Sequence, residues 1–474
     1  MFRKAAALFC LMLLVTANVE AATLRVPEDY PSIQSAVDAA NADDTVLVAA
    51  GRYTERVRLK AGIVLRSSGT DDRGEIGLRR AEQTILDGNG GDDDMAGVVM
   101  AEGSVLDGFT ITNVGMYNDA EWQKHFGSHG EELGDDEGAV HAEGTIPAIR
   151  ISAVDCRVTN CIVHHNGDAG IGIVGTEHRI VAPIIQANTV YRNMGGGIGV
   201  AENAAAIIRA NTCYENLRAG IGCRRASPII VGNECQGNVR AGIGCRESAK
   251  PVIRANRCFR NRRAGIGIRM KGTVAVVEGN ECFENAMAGI GCRDGASSLL
   301  TGNTCRDNQL VAIGVTEGAD ALIRENVLVR ASGVPPIIAV KDHSSAIIQN
   351  NQISGGGVAA VLIQGRAIVS GNEFTAIAEK PGTGVWVRSD STVTMMDNTF
   401  HGYRTAVKAE HASVTVSRNQ IHQFQGTAIL LKDCIPPVFV SGNTATSNDA
   451  KAKVVEIPGT AGTVENNTLN PDKS

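Results

Sequence analysis

RAGIGCRRASPIIVGNECQGN (Arg218–Asn238) is answered from Arg240 by RAGIGCRESAKPVIRANRCFRN (Arg240–Asn261), one phrase repeated with light edits. The asparagines set its period. An Asn-x-apolar signature runs from Asn160 through Asn188, Asn211, Asn233, Asn256, Asn280, Asn303, Asn326, Asn351, Asn372, Asn398, Asn419 and Asn443 to Asn467, at intervals of 21 to 28 residues. A second asparagine accompanies it at Asn193, Asn216, Asn238, Asn261, Asn285 and Asn308. Within each unit three short β-like runs alternate with turn residues, as at Gly220–Arg224, Pro228–Val231 and Glu234–Gln236. A helical repeat of this length needs two amphipathic stretches, which so many Gly and Asn residues would disrupt. The repeat therefore predicts an all-β chain in which each unit is one coil of a parallel β-solenoid. At least about 14 coils stack at ~4.8 Å, with the asparagines in left-handed turn positions passing amide hydrogen bonds up the stack.

Alignment of the coils separates inside from outside. Two positions after the asparagine come Val190, Cys213, Cys235, Cys258, Cys282, Cys305, Leu328, Ile353 and Phe374; in the Gly-Ile-Gly-Cys run come Cys223, Cys245, Ile268, Cys292, Val315 and Val340. Because every alternate to Cys is apolar, the cysteines read as buried packing residues, with inter-coil disulfides and a metal site as the other readings. Period-two alternation sends Ile221, Ile243, Ile266 and Ile290 inward and Gly222, Gly244, Gly267 and Gly291 outward.

The chain of 474 residues has 54 glycines, 4% aromatic residues and a net charge of −6. Turns and close backbone approaches suit that composition, while the mild charge gives no case for nucleic acid. Residues 1–21, MFRKAAALFCLMLLVTANVEA, read as a signal peptide whose apolar run is too short to span a bilayer, placing the protein in a secreted or periplasmic setting without a membrane span. The expected organisation is one β-helix domain over 22–474. Residues 22–114 form the N-terminal cap and first coils, 115–141 an inserted loop and 150–470 the regular coils. A short helix over Ser32–Ala40 caps the open end.

One outward column is basic: Arg224, Arg246, Arg269, Arg293, Lys341 and Arg388 recur at the end of the Gly-Ile-Gly run, with Thr316 and Gln364 interspersed. Arg218, Arg240 and Arg263 form a shorter second row. These rows predict attraction of an extracellular acidic polysaccharide, its carboxylates or sulfates matched by guanidinium forks; a solvated edge duplicated with the repeat is the alternative. Trp386 takes an outward position usually held by glycine and is placed to stack on a sugar ring. The insertion and first regular coils supply acid–base candidates His125, His129, His141, His165 and Asp168, and Asp119, Asp135, Asp136 and Glu137 as candidate Ca²⁺ ligands, against the simpler reading of a hydrated loop.

The coil pattern, with DDTVLVAAGRYTERVRL (Asp43–Leu59) and TILDGN (Thr84–Asn89), resembles the right-handed parallel β-helix superfamily with the pectate-lyase-like fold. The resemblance covers nearly all of the chain after residue 21. It implies that the first strand of each coil lines a substrate face, and it admits a polysaccharide lyase, an epimerase or a non-catalytic envelope or adhesion protein. The calcium-binding carboxylates of pectate lyases are replaced here by Gly and Arg. The Gln and paired Asp of pectin methylesterases and the Asp motifs of polygalacturonases have no counterpart.

Overall fold

A computed structural model describes residues 21–91, 95–128, 146–377 and 382–472. Its 51 strands wind into a right-handed solenoid with three parallel sheets. In the coil quoted above, Ile221–Arg224 belongs to the first sheet, Ile229–Val231 to the second and Glu234–Gln236 to the third. The second sheet contains 18 strands and the first 16, so the rod has more turns than the asparagine pattern alone reveals. Neighbouring coils pair in strict register: Ile221 lies against Ile243, Gly222 against Gly244, Cys223 against Cys245 and Arg224 against Arg246. A slip of one residue would turn every apolar side chain outward, so alternation itself holds the register.

The core is a continuous apolar column between the sheets. Ile221, Ile243, Ile266 and Ile290 are fully buried, as are Cys213, Cys235, Cys258, Cys282 and Cys305. All eleven described cysteines are free and buried, which agrees with the packing reading. Burial pushes the Cys156 and Cys161 thiols up to about 12.

Two asparagine ladders run along the turns. In the first, between second and third sheets, each Nδ2 donates to the next Oδ1 at 2.9 to 3.0 Å from Asn188 to Asn419. The second runs from Asn166 to Asn308. The left-handed residue, however, is the one before the asparagine: Ala210, Gly232 and Ala255 have φ of 54°, 62° and 52°. That residue reverses the chain, and the asparagine after it can then aim its amide into the turn. Asn160 accordingly is not a rung. It is itself left-handed, with φ 55°, and Cys161 holds the rung position, its amide donating to Asn188 Oδ1 at 2.9 Å.

The capping helix spans Ile33–Ala39, with Ser32 and Ser35 closing a reciprocal cap at its start. Ile33, Ala36 and Val37 are fully buried over the first coils, and Glu55 accepts from the first-turn amides of Ile33 and Gln34, which have no partner within the helix, at 3.0 and 3.1 Å. The insertion contains a further helix, Asp119–Gly127, capped by Asn118. Its Trp122 is 2% exposed and packs with Leu217 and Val239, while Phe126 stacks on Trp122 at 4.6 Å. Arg192 lies over the Trp122 ring at 4.2 Å and Arg262 over Phe126 at 5.2 Å. No helix among the described residues is long and apolar enough to cross a membrane.

Candidate functional site: a glycine-floored groove

The two glycines of the Gly-Ile-Gly phrase have opposite surroundings. A Cβ on Gly220 would meet Asn238 Nδ2 at 2.8 Å, the Gly242 carbonyl at 2.9 Å and Cys213 Cβ at 3.2 Å, so only glycine fits beside the second ladder and the cysteine column. A Cβ on Gly222 meets nothing within 4 Å. Gly172, Gly199, Gly222, Gly244, Gly267, Gly291 and Gly314 align on consecutive strands of the first sheet and form the floor of an open groove of about 680 Å³.

Two walls flank this floor. Arg224, Arg246, Arg269, Arg293 and Thr316 stand at the strand's C-terminal end on one side; Arg218, Arg240, Arg263, Met287 and Leu310 precede it on the other. The insertion helix stands beside the second wall, because Leu217 and Val239, on which Trp122 packs, immediately precede Arg218 and Arg240. Carboxylates brace the first wall. Arg224 is 3.2 Å from Glu202 and 3.9 Å from Glu247, Arg246 is 3.4 Å from Glu247, and Arg293 is 3.5 Å from Asp294. Burial pushes the Arg246 guanidinium below its ordinary pKa. Glu247 opposes that shift, while Arg224, Arg218 and Arg225 add to it. Concentrated positive charge on a low-dielectric floor favours an anion over bulk cations.

The structure divides the sequence candidates. Arg224, Arg246, Arg269, Arg293 and Asp168 line the groove, Asp168 at the end marked by Pro147. Lys341, Trp386 and Arg388 sit on later coils, beyond that lining. Trp386 donates Nε1–H to Glu410 at 3.1 Å, with Lys408 Nζ over its ring at 4.5 Å and Arg388 at 5.2 Å, so its ring is engaged by the protein's own cations. His165 lies outside the groove lining. It packs edge-on to Tyr117 at 4.9 Å, and its Nδ1 is 2.7 Å from Nδ1 of His164. Burial, the His165 ring and Arg52 push His164 down to about 4. His125, on the insertion helix, contacts Glu121 at 2.8 Å and likewise lies outside the lining. Asp119 accepts from Tyr117 at 3.0 Å and Gln123 at 2.7 Å and faces Arg192 at 4.0 Å, and no cluster of three metal-ligating groups occurs among the described residues. His129, Asp135, Asp136, Glu137, His141 and residues 1–20 of the signal-peptide reading lie outside the described residues.

Sequence reading missed Trp122, whose spacing to Phe126 is the i, i+4 signature of a docked helix face, and Glu202, which sits one coil before the arginine it braces. It also missed Met287 and Leu310, which hold the repeat position of the second arginine row.

The family model for the right handed beta helix region matches residues 96–273, 181–328 and 336–472, and the chain belongs to that family. Among solved structures it is similar to the A-module of the mannuronan C-5 epimerase AlgE6 of Azotobacter vinelandii, with 14% identity, 93% of this chain and 95% of that chain covered, and a TM-score of 0.38. It is also similar to PfbA, a surface adhesin of Streptococcus pneumoniae, with 11% identity, 86% and 92% covered, and a TM-score of 0.40. No curated protein sequence matches the chain.

Proposed function

We propose that this is a secreted or periplasmic β-helix protein that binds an acidic polysaccharide lying along the first-sheet groove. The observation that carries the proposal is a side-chain-free floor of aligned glycines from Gly199 to Gly314, with four arginines along one wall and three along the other. An extended polymer needs a long, flat track, and glycine lets its rings approach the backbone closely. A chain parallel to the rod meets a new pair of wall residues every ~4.8 Å, and the guanidinium forks suit carboxylate or sulfate oxygens. Glu202, Glu247 and Asp294 hold the arginines before a ligand arrives, which lowers the cost of ordering them on binding.

Among the described residues, Asp168 is the one acid–base candidate named from the sequence that also lines the groove. A carboxylate at that end is placed to take the proton beside a uronate carboxyl, the step that a lyase and an epimerase share. The geometry supports binding along the arginine-walled coils and such chemistry at one end only.

The test compares polygalacturonate, a sulfated glycan and a neutral glucan at two ionic strengths. The expected result is salt-sensitive binding of the anionic polymers that weakens at least ~tenfold, or ~1.4 kcal/mol, when Arg224, Arg246, Arg269 and Arg293 are all changed to Ala. Ultraviolet absorbance from unsaturated uronates, lost in Asp168→Asn, would add lyase activity. Absence of binding to every acidic glycan tested refutes the proposal.

A further inference from the structure

The second wall of the groove changes chemistry partway along. Backbone amides of Arg240, Arg263, Met287 and Leu310 each donate to the carbonyl of the equivalent residue one coil earlier, at 3.0 to 3.3 Å, so the five residues beginning with Arg218 form one continuous row. Three are arginines, and then Met287 and Leu310 take their place, 42% and 47% exposed and still lining the groove. Val334 and Val358, on the next two coils, are 70% and 42% exposed and lie beyond the groove lining. Across the floor the first wall stays polar, with Arg293 opposite Met287 and Thr316 opposite Leu310. A lone exposed leucine is ordinary, but an apolar run that continues an arginine row in register along the same groove marks a ligand with apolar character of its own.

Resting on the acidic-polysaccharide reading, we propose that the ligand bears O-acyl esters and that Met287 and Leu310 form the subsite for the acyl groups. Charge complementarity selects that substituent. Arg293 faces the same stretch of groove and calls for a retained acid group, whereas a methyl ester on the sugar carboxyl would erase the charge. An acyl ester on a hydroxyl adds apolar surface on one side of the ring and leaves the carboxylate free on the other. Thr316, uncharged and opposite Leu310, and the groove-lining Glu317 beside it leave the acyl end less demanding of anionic charge than the arginine-walled coils.

Polygalacturonate and the same polymer partly O-butyrylated, matched in length, are the probes. The full chain is expected to bind the butyrylated polymer more tightly, by about fourfold for each methylene buried. Met287→Ser/Leu310→Ser abolishes that preference, read as the ratio of the two affinities within each protein. Met287→Arg/Leu310→Arg, which extends the basic row, reverses it. Equal affinity for the two polymers in the unmodified protein, or a preference that survives the serine changes, overturns the acyl subsite while polyuronate binding still stands. Failure of both polymers to bind overturns the groove reading instead.

Discussion

Gly220 and Gly222 are two residues apart in the same phrase, and substitutions at them are expected to fail in opposite ways. At Gly222 an added Cβ has open space, and at Gly244, Gly267 and Gly291 it comes no nearer than an alanine Cβ at 3.6, 3.8 and 3.8 Å, an ordinary contact. Gly222→Leu therefore raises the floor without straining the fold. Removing a strand glycine also spares the unfolded chain its extra entropy, so stability should hold or rise by about 0.5–1 kcal/mol. The leucine occupies the track, and binding of acidic glycan should weaken at least ~tenfold. At Gly220 the new carbon would fall 2.8 Å from Asn238 Nδ2 and 2.9 Å from the Gly242 carbonyl, both part of the buried ladder side of the coil. Overpacking costs about 1–3 kcal/mol and disturbing the Asn238 amide, which donates to the Cys213 carbonyl and Asn261, about as much again. Gly220→Ala should therefore lose about 2–5 kcal/mol. Urea denaturation followed by circular dichroism, alongside glycan titration, reads both effects. If Gly222→Leu binds like the unmodified protein, the floor is not the track. If Gly220→Ala is as stable, the packing argument fails.

Asn256→Ala should cost about 2–5 kcal/mol, because it leaves the buried Asn233 amide and Ile230 carbonyl without their 2.8 and 2.9 Å partners; Asn467→Ala, on the last half-buried rung, should cost under about 1 kcal/mol by the same denaturation assay. His164 is neutral in the fold, with its pKa lowered from 6.5 to about 4, so its stabilising contribution is complete above pH ~6.5 and is lost as the pH falls toward 4, where the unfolded chain takes up the proton first. Melting temperature against pH should show that decline, and His164→Phe should flatten it. A thiol reagent should leave the eleven described cysteines untouched in the native protein and titrate all of them after unfolding without reductant; a shortfall would reveal disulfides.

Most of the coil was legible because a solenoid repeats its environment. A position that accepts Cys, Ile and Val in successive units can only be a packed interior, and Cys223, Cys245, Ile268 and Cys292 are all buried as that substitution pattern requires. The turn was harder to read. Ala, Gly, Glu, Arg and Asp all occupy the left-handed residue before a rung, so residue type does not mark it, and the first rung was misplaced from Cys161 to Asn160.

The candidate site was half legible. Arginine columns are a property of the repeat, and their position at the strand's end follows from alternation alone. Whether columns face one another is a matter of how the coil closes. Arg218 and Arg224 flank one glycine because the turn after Asn216 brings the chain back onto the first sheet, which also carries Asp168 into the groove and leaves His165, three residues earlier, beneath Tyr117. Lys341, Arg388 and Trp386 sit outside the lining, although by repeat position the first two belong to the arginine column and Trp386 to the glycine column. Local alternation and period determine which residues are buried, since burial depends only on the strand's two faces. The groove, its braced arginines and its apolar wall depend on residues from separate coils meeting across the rod, and only the tertiary structure decides that.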